Sequence, residues 1–89
     1  MQTPDMRLLR SFLAVARERS ISEAARRLFM SQQTLSEQIR QLEKNLGVPL
    51  LLRGSRGVTL TPAGERLATG AASVTAELDA LVDEVRRIA

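Results

Sequence analysis

Residues 20–47 read SISEAARRLFMSQQTLSEQIRQLEKNLG and carry two helix starts and one helix stop. Ser20-Ile21-Ser22-Glu23 has the S-x-x-E form of a capping box, in which the serine and the glutamate each satisfy a free backbone N–H of the first turn. Ile21, Ala24, Ala25 and Leu28 then recur on one face of a short helix. Only Phe29 and Met30 separate that helix from a second cap, Ser31. Beyond it Leu35, Ile39, Leu42 and Leu46 step by 4, 3 and 4 residues, until Gly47 supplies a helix stop with Pro49 two residues later. Two helices joined by so short a turn read as a helix-turn-helix, whose second helix is shaped to enter a DNA major groove.

Upstream, Thr3-Pro4 predicts a cap and a first helical proline, and Leu8, Leu9, Phe12, Val15 and Ala16 carry a helix that ends near Arg17 to Arg19. Downstream the pattern changes. Leu50-Leu51-Leu52-Arg53 and Val58-Thr59-Leu60-Thr61 flank Gly54-Ser55-Arg56-Gly57, as in a β-hairpin. Thr61-Pro62 repeats the cap-plus-proline signal and opens a segment interrupted only by Gly64 and Gly70. Within it Leu67, Ala71, Val74, Leu78, Leu81, Val85 and Ile88 are spaced 4, 3, 4, 3, 4, 3, an unbroken heptad seam. The expected fold is mainly α: a winged helix-turn-helix of three helices and a two-stranded wing over residues 1–61, then a long linker or dimerisation helix over residues 62–89. Such a helix is about 40 Å long, more than a body of about 60 residues can cover, so its far half needs another surface. A second copy supplies one, and the resulting two-fold symmetry matches pseudo-palindromic duplex sites.

The composition narrows the chemistry. The chain has 89 residues with neither Cys nor His, which removes disulfides, Cys/His zinc sites, thiolate catalysis and histidine acid/base chemistry. The carboxylates are scattered, without a paired or metal-ligand arrangement, so neither an enzyme nor a metal or other cofactor is expected. Phe12 and Phe29 are the only aromatic residues, too few for the stacking platforms of single-strand binders, which leaves duplex as the nucleic-acid partner. The longest charge-free run, Leu67 to Ala76, falls well short of the roughly 20 apolar residues of a membrane span. With Asp5 and two arginines in the first ten residues no export signal is expected either, and a cytoplasmic location is expected. The net charge is only +3, but residues 1–61 hold ten basic and five acidic residues and residues 62–89 three basic and five acidic. A head of +5 is joined to a stalk of −2, a segregation that suits a head facing phosphate.

On the helix that begins after Ser31, Gln33, Glu37, Arg40 and Lys44 fall roughly opposite the apolar positions, with Thr34 and Ser36 on the flanks. Glutamine can pair bidentately with adenine, Ser and Thr can serve bases or phosphates, Glu can accept from cytosine N4, and Arg can hold guanine or phosphate. Any solvated helix carries such residues. What adds weight is the hairpin beside it, where Arg53 and Arg56 stand among small residues that allow close approach to a groove. Arg26 and Arg27, by contrast, sit where basic residues complement a helix C-terminus, the role expected of at least one of them. Two functions remain open at this level. One is sequence-specific duplex binding as a homodimer; the other is a protein-interaction or dimerisation module with weak or no specific DNA binding.

The run from Met6 to Gly64 closely resembles the DNA-binding domain of LysR-type transcriptional regulators. The likeness is carried by Leu9-Arg10-Ser11-Phe12-Leu13-Ala14-Val15-Ala16, by Ser20 to Leu28, by Ser31-Gln32, Leu35-Ser36 and Gln38 to Glu43, and by Leu46 to Leu50, Arg53 and Leu60 to Gly64. The resemblance implies a recognition helix from about Gln32 to Leu46, a wing around Gly54 to Gly57, and a linker helix that pairs antiparallel with its partner's. It also implies base and phosphate contacts from Gln32, Gln33, Thr34, Ser36, Glu37, Arg40, Arg53 and Arg56. Gln33 departs from the frequent proline, Leu51 from the usual phenylalanine, and Glu37 from the common basic residue. A carboxylate near phosphates costs affinity unless it accepts from a cytosine amine or pairs with Arg40 or Gln41. Full-length members add a C-terminal domain that binds an inducer and assembles tetramers. This chain is therefore expected to be the DNA-binding portion of a longer regulator, without a small-molecule ligand of its own.

Overall fold

The computed structural model describes residues 3–89. The elements are α1 (Met6–Glu18), α2 (Ile21–Arg27), α3 (Gln32–Leu46), β1 (Leu51–Gly54), β2 (Gly57–Leu60) and α4 (Pro62–Ile88), the mainly helical order expected of a winged helix-turn-helix. Phe12 and Val15 of α1, Leu35, Ile39 and Leu42 of α3, and Leu50 before the hairpin are each at most 1% exposed. Ala24 and Ala25 let α2 lie close against them, and Ile21, Leu28, Met30 and Leu46 close the edges. The apolar periodicity of α1 to α3 has thus become one shared core, the main source of stability for helices this short.

The helix ends explain where each element stops. Ser20, Ser31 and Thr61 cap α2, α3 and α4, each side-chain oxygen accepting from the N–H three residues on, at 3.0–3.1 Å. Two expectations need correction. The first helix starts two residues later than Thr3-Pro4 predicts, because Asp5 is its N-cap and accepts from Leu8 N–H at 2.9 Å. A carboxylate at the positive end of a helix is a stronger cap than a threonine hydroxyl. The capping box at Ser20 is only half formed, since the Glu23 carboxylate turns to Arg26 instead of reaching back. Between α2 and α3 the chain reverses at Phe29, whose φ is 55°. That left-handed residue swings Leu28 and Met30 onto the core and leaves the Phe29 ring 97% exposed.

The wing is an antiparallel pair with Leu51 opposite Leu60, Arg53 opposite Val58 and Gly54 opposite Gly57, closed by Ser55 and Arg56. It is tied to the helices on both sides. Arg19, the C-cap of α1, has φ 55° and offers its carbonyl to Val58 N–H at 3.1 Å. Gly57, with φ 111°, lies so near that carbonyl that a Cβ would come within 2.7 Å of it. On the other side Leu50 N–H donates to Glu43 Oε2 at 2.7 Å, and the Leu50 carbonyl accepts from Thr61 N–H at 3.0 Å.

The long helix α4 crosses α1 with Ala71 and Thr75 buried and Leu67 and Ala68 packed on the core. Arg10 pairs with Asp79 at 2.9 Å and Arg19 with Glu65 at 3.3 Å, two exposed bridges between α1 and α4. Each is worth at most about 1 kcal/mol, so the small buried residues set the crossing and the ion pairs refine it. The heptad seam divides along its length: Leu67 and Ala71 are occupied by this chain, whereas Leu81, Val85 and Ile88 are 56%, 57% and 82% exposed.

Gly64 marks a close approach of α4 to the chain before the wing, because a Cβ there would be driven into the Leu50 backbone carbonyl. Gly64→Ala is expected to destabilise the domain by about 1–3 kcal/mol through overpacking. Thermal denaturation should show it as a fall of roughly 4–8 °C per kcal/mol for a domain of this size. An unchanged midpoint would mean that the start of α4 can slide away from Leu50.

Candidate nucleic-acid interface

The site is built on α3, which the buried Leu35, Ile39 and Leu42 orient so that its other face points outward. Gln32, Gln33, Thr34, Glu37, Arg40 and Lys44 are exposed along it, and Ser36 is half-buried on the flank. Gln38 is held inward, its Oε1 accepting from the buried Ser11 hydroxyl of α1. Gln41 donates to Asn45 at 2.8 Å along the same helix. The residues left to face a ligand are therefore Gln33, Glu37, Arg40 and Lys44 along the stripe, with Gln32 and Ser36 beside it and Thr34 committed in part to Ser31 Oγ at 2.9 Å.

Arg7 joins this stripe, which the sequence pattern did not reveal. It lines a depression between the start of α1 and α3 together with Gln33, Thr34, Glu37 and Gln41. Only tertiary packing brings Arg7 there.

Ion pairing sorts the basic residues of the head. Arg26 pairs with Glu23 at 2.7 Å, Arg27 with Glu18 at 2.8 Å, and Arg40 with Glu37 one turn earlier. Arg26 and Arg27 are thus answered within the protein by carboxylates of α2 and α1. Arg7 lies 3.7 Å from Asp5, and among the described residues of the head Arg17, Lys44, Arg53 and Arg56 form no ion pair. Arg53 and Arg56 are exposed at the wing tip, on a turn that small glycines make narrow. Unpaired guanidinium groups on a narrow projection can reach phosphates, or a groove too tight for a helix. No cluster of acidic groups able to hold a metal ion occurs among the described residues.

A family model, that of the bacterial regulatory helix-turn-helix protein of the lysR family, matches residues 6–65. The chain belongs to the LysR family. The LysR-family domain is 47% identical to the HTH-type transcriptional regulator BudR of Klebsiella aerogenes over 85 residues, which cover 96% of this chain and 59% of that regulator. It is 51% identical to a probable hydrogen peroxide-inducible genes activator of Streptomyces viridosporus, over 91% of this chain and 26% of the activator. In three dimensions it is similar to the protein in the crystal structure of the BenM_DBD/catB site 1 DNA complex, with TM-score 0.92, 41% identity and 96% of each chain covered. The LysR-family domain thus spans little more than half of the first regulator and about a quarter of the second.

The Glu23–Arg26 pair can be tested by titration. Hydrogen bonding from Arg26, and then its charge, hold the Glu23 carboxyl below the usual glutamate range. Because its folded value is depressed, the pair's contribution is present above the unfolded pKa and is lost as pH falls through the folded one. Side-chain NMR should find Glu23 titrating low, and Arg26→Ala should return it towards the ordinary value. An unmoved titration would free Arg26 to serve the interface.

Proposed function

We propose that this chain is the DNA-binding portion of a bacterial LysR-type transcriptional regulator, acting on pseudo-palindromic duplex DNA as a homodimer. The observation that carries the proposal is the coincidence, on one head, of an exposed polar stripe on α3 and unpaired arginines on the adjacent wing. The resemblance to the BenM_DBD protein of the DNA complex supports it. In this proposal Gln32, Gln33, Thr34, Ser36, Glu37 and Arg40 meet base edges and phosphates, and Arg53 and Arg56 meet the neighbouring backbone or minor groove. The work is binding and not catalysis, and its place is the cytoplasm, where the bacterial chromosome lies. No helix among the described residues is long and apolar enough to cross a membrane. Inducer sensing and tetramer assembly are assigned to the additional length of such regulators.

Dimerisation is assigned to α4. Its exposed far half ends in Leu81, Val85 and Ile88, and its near half borders an apolar groove of about 570 Å³ lined by Leu9, Leu46, Val48, Leu67 and Val74. An antiparallel partner helix would set its far half over this groove and bury both surfaces together, the self-complementary arrangement of a two-fold interface. The division into residues 1–61 as reader and 62–89 as dimerisation element follows this allocation.

Fluorescence anisotropy on a dyad-symmetric duplex should show affinity falling steeply with salt as counterions are released. Arg53→Ala with Arg56→Ala should weaken binding to all sequences and flatten the salt slope by roughly one unit per lost phosphate contact. Binding that ignores salt, or a double variant that behaves as the parent, would instead leave a protein-interaction module. For assembly, Leu81→Asp should give monomers in sedimentation without loss of the fold, since Leu81 is already exposed in the single chain. A persistent dimer would move the interface away from this part of α4.

A further inference from the structure

The outer face of α3 carries a carboxylate at its centre, flanked by Gln33 one turn before and Arg40 one turn after. Opposite a polyanion an isolated glutamate is unfavourable, so its charge must be answered or it must meet a donor. Both conditions can be met at once here. Arg40 Nη1 donates to Glu37 Oε1, which cancels the charge within the helix. Among the described residues Glu37 Oε2 accepts no hydrogen bond, and Arg40 Nη2 and Nε donate none. The side chains are 62% and 64% exposed. The pair therefore offers a free acceptor beside free donors, with no net charge and with each group steadied by the other.

That pattern is best matched in the major groove by a C·G pair. A C·G pair presents the cytosine N4 donor beside the guanine O6 and N7 acceptors. An A·T pair also offers a donor, adenine N6, but beside it only the single thymine O4 next to the methyl group, so the Arg40 fork loses the two guanine acceptors that it can meet bidentately. We infer that the Glu37–Arg40 pair determines specificity by reading a C·G base pair at a fixed position in each half-site, Glu37 accepting from cytosine and Arg40 donating to guanine. The inference rests on the DNA-binding function proposed above. A basic residue at position 37 would add phosphate affinity without this demand, so the glutamate exchanges general affinity for base choice.

The test is selection of bound duplexes from a random pool by the 89-residue chain and by its Glu37→Gln and Arg40→Lys variants. The unmodified chain is expected to enrich a fixed C·G pair in each half-site, and A·T at that position should weaken binding about tenfold. Glu37→Gln should lose this preference and gain adenine there, because a carboxamide both donates and accepts. Arg40→Lys keeps the charge but loses the planar fork, and should blunt the guanine preference with little change in salt slope. A motif without a fixed C·G pair, or the same motif from Glu37→Gln, overturns the inference and leaves Glu37 as an internal partner of Arg40. A pool with no enriched motif, together with binding indifferent to salt, removes the DNA-binding function itself. The base-pair exchange is made in the DNA, so that arm holds whatever the variants do to folding.

Discussion

The Leu50 peptide is the joint through which the recognition helix, the wing and the long helix are held in one arrangement. Its N–H and that of Leu51 are both taken by the Glu43 carboxylate of α3, at 2.7 and 3.3 Å. Its carbonyl is taken by Thr61 N–H, and Gly64 packs against the same carbonyl from the first turn of α4. Thr61 closes the circuit by donating its hydroxyl to the Pro49 carbonyl at 2.8 Å while accepting from Gly64 N–H at 3.0 Å. Buried backbone groups must be paired, and hydrogen bonds to charged acceptors are among the stronger ones, so this joint resists bending. A reader that uses a helix and a wing on the same duplex needs that rigidity, since their relative position decides whether both can touch DNA at once.

The distribution of charge follows from the same economy of space. A head with ten basic residues does not present ten cations, because several guanidinium groups are answered by acids of the head or stalk. Arg10 and Arg19 hold α4, Arg26 and Arg27 hold α2, and Arg40 is joined to Glu37. Among the described residues of the head, Arg17 at the end of α1, Lys44 at the end of α3 and Arg53 and Arg56 at the wing remain unpaired. Local pairing thus leaves most of the head's unanswered charge at the wing and the end of α3, where long-range attraction and close contact come from the same residues.

Much of this was legible in the sequence, and the reasons differ by element. The stepping of Leu35, Ile39, Leu42 and Leu46, with Ser31 before and Gly47 after, defines α3 because burial, capping and termination all agree there. The hairpin is equally plain, since glycines bracket a two-residue turn between apolar runs. At the start of α1 Thr3 and Asp5 stand two residues apart, and only the carboxylate geometry of Asp5 decides between them as cap. Glu23 is a related case: local spacing permits both the cap and Arg26, and the charged partner prevails. Gln38 and Arg7 were not legible at all. One turns inward to Ser11 and the other arrives beside α3 only through the packing of α1, and neither contact leaves a periodic trace.

The seam of α4 shows where periodicity and packing part company. Seven positions repeat without a break, yet the single chain uses the near part for its own core and leaves the far part open. A coiled coil running the whole length would require Ala71 to leave α1, exposing a packed face and breaking the contacts that Arg10 and Asp79 reinforce. The alternative costs less: the near half stays docked and lends only its groove, while the far half supplies the residues that fill a partner's groove. In that arrangement the head is not suspended from a flexible stalk. The contacts that would join two chains adjoin the contacts that fix each head to its own α4, so the spacing between two recognition helices would be set by a rigid path running from α3 through Leu50 to the dimer.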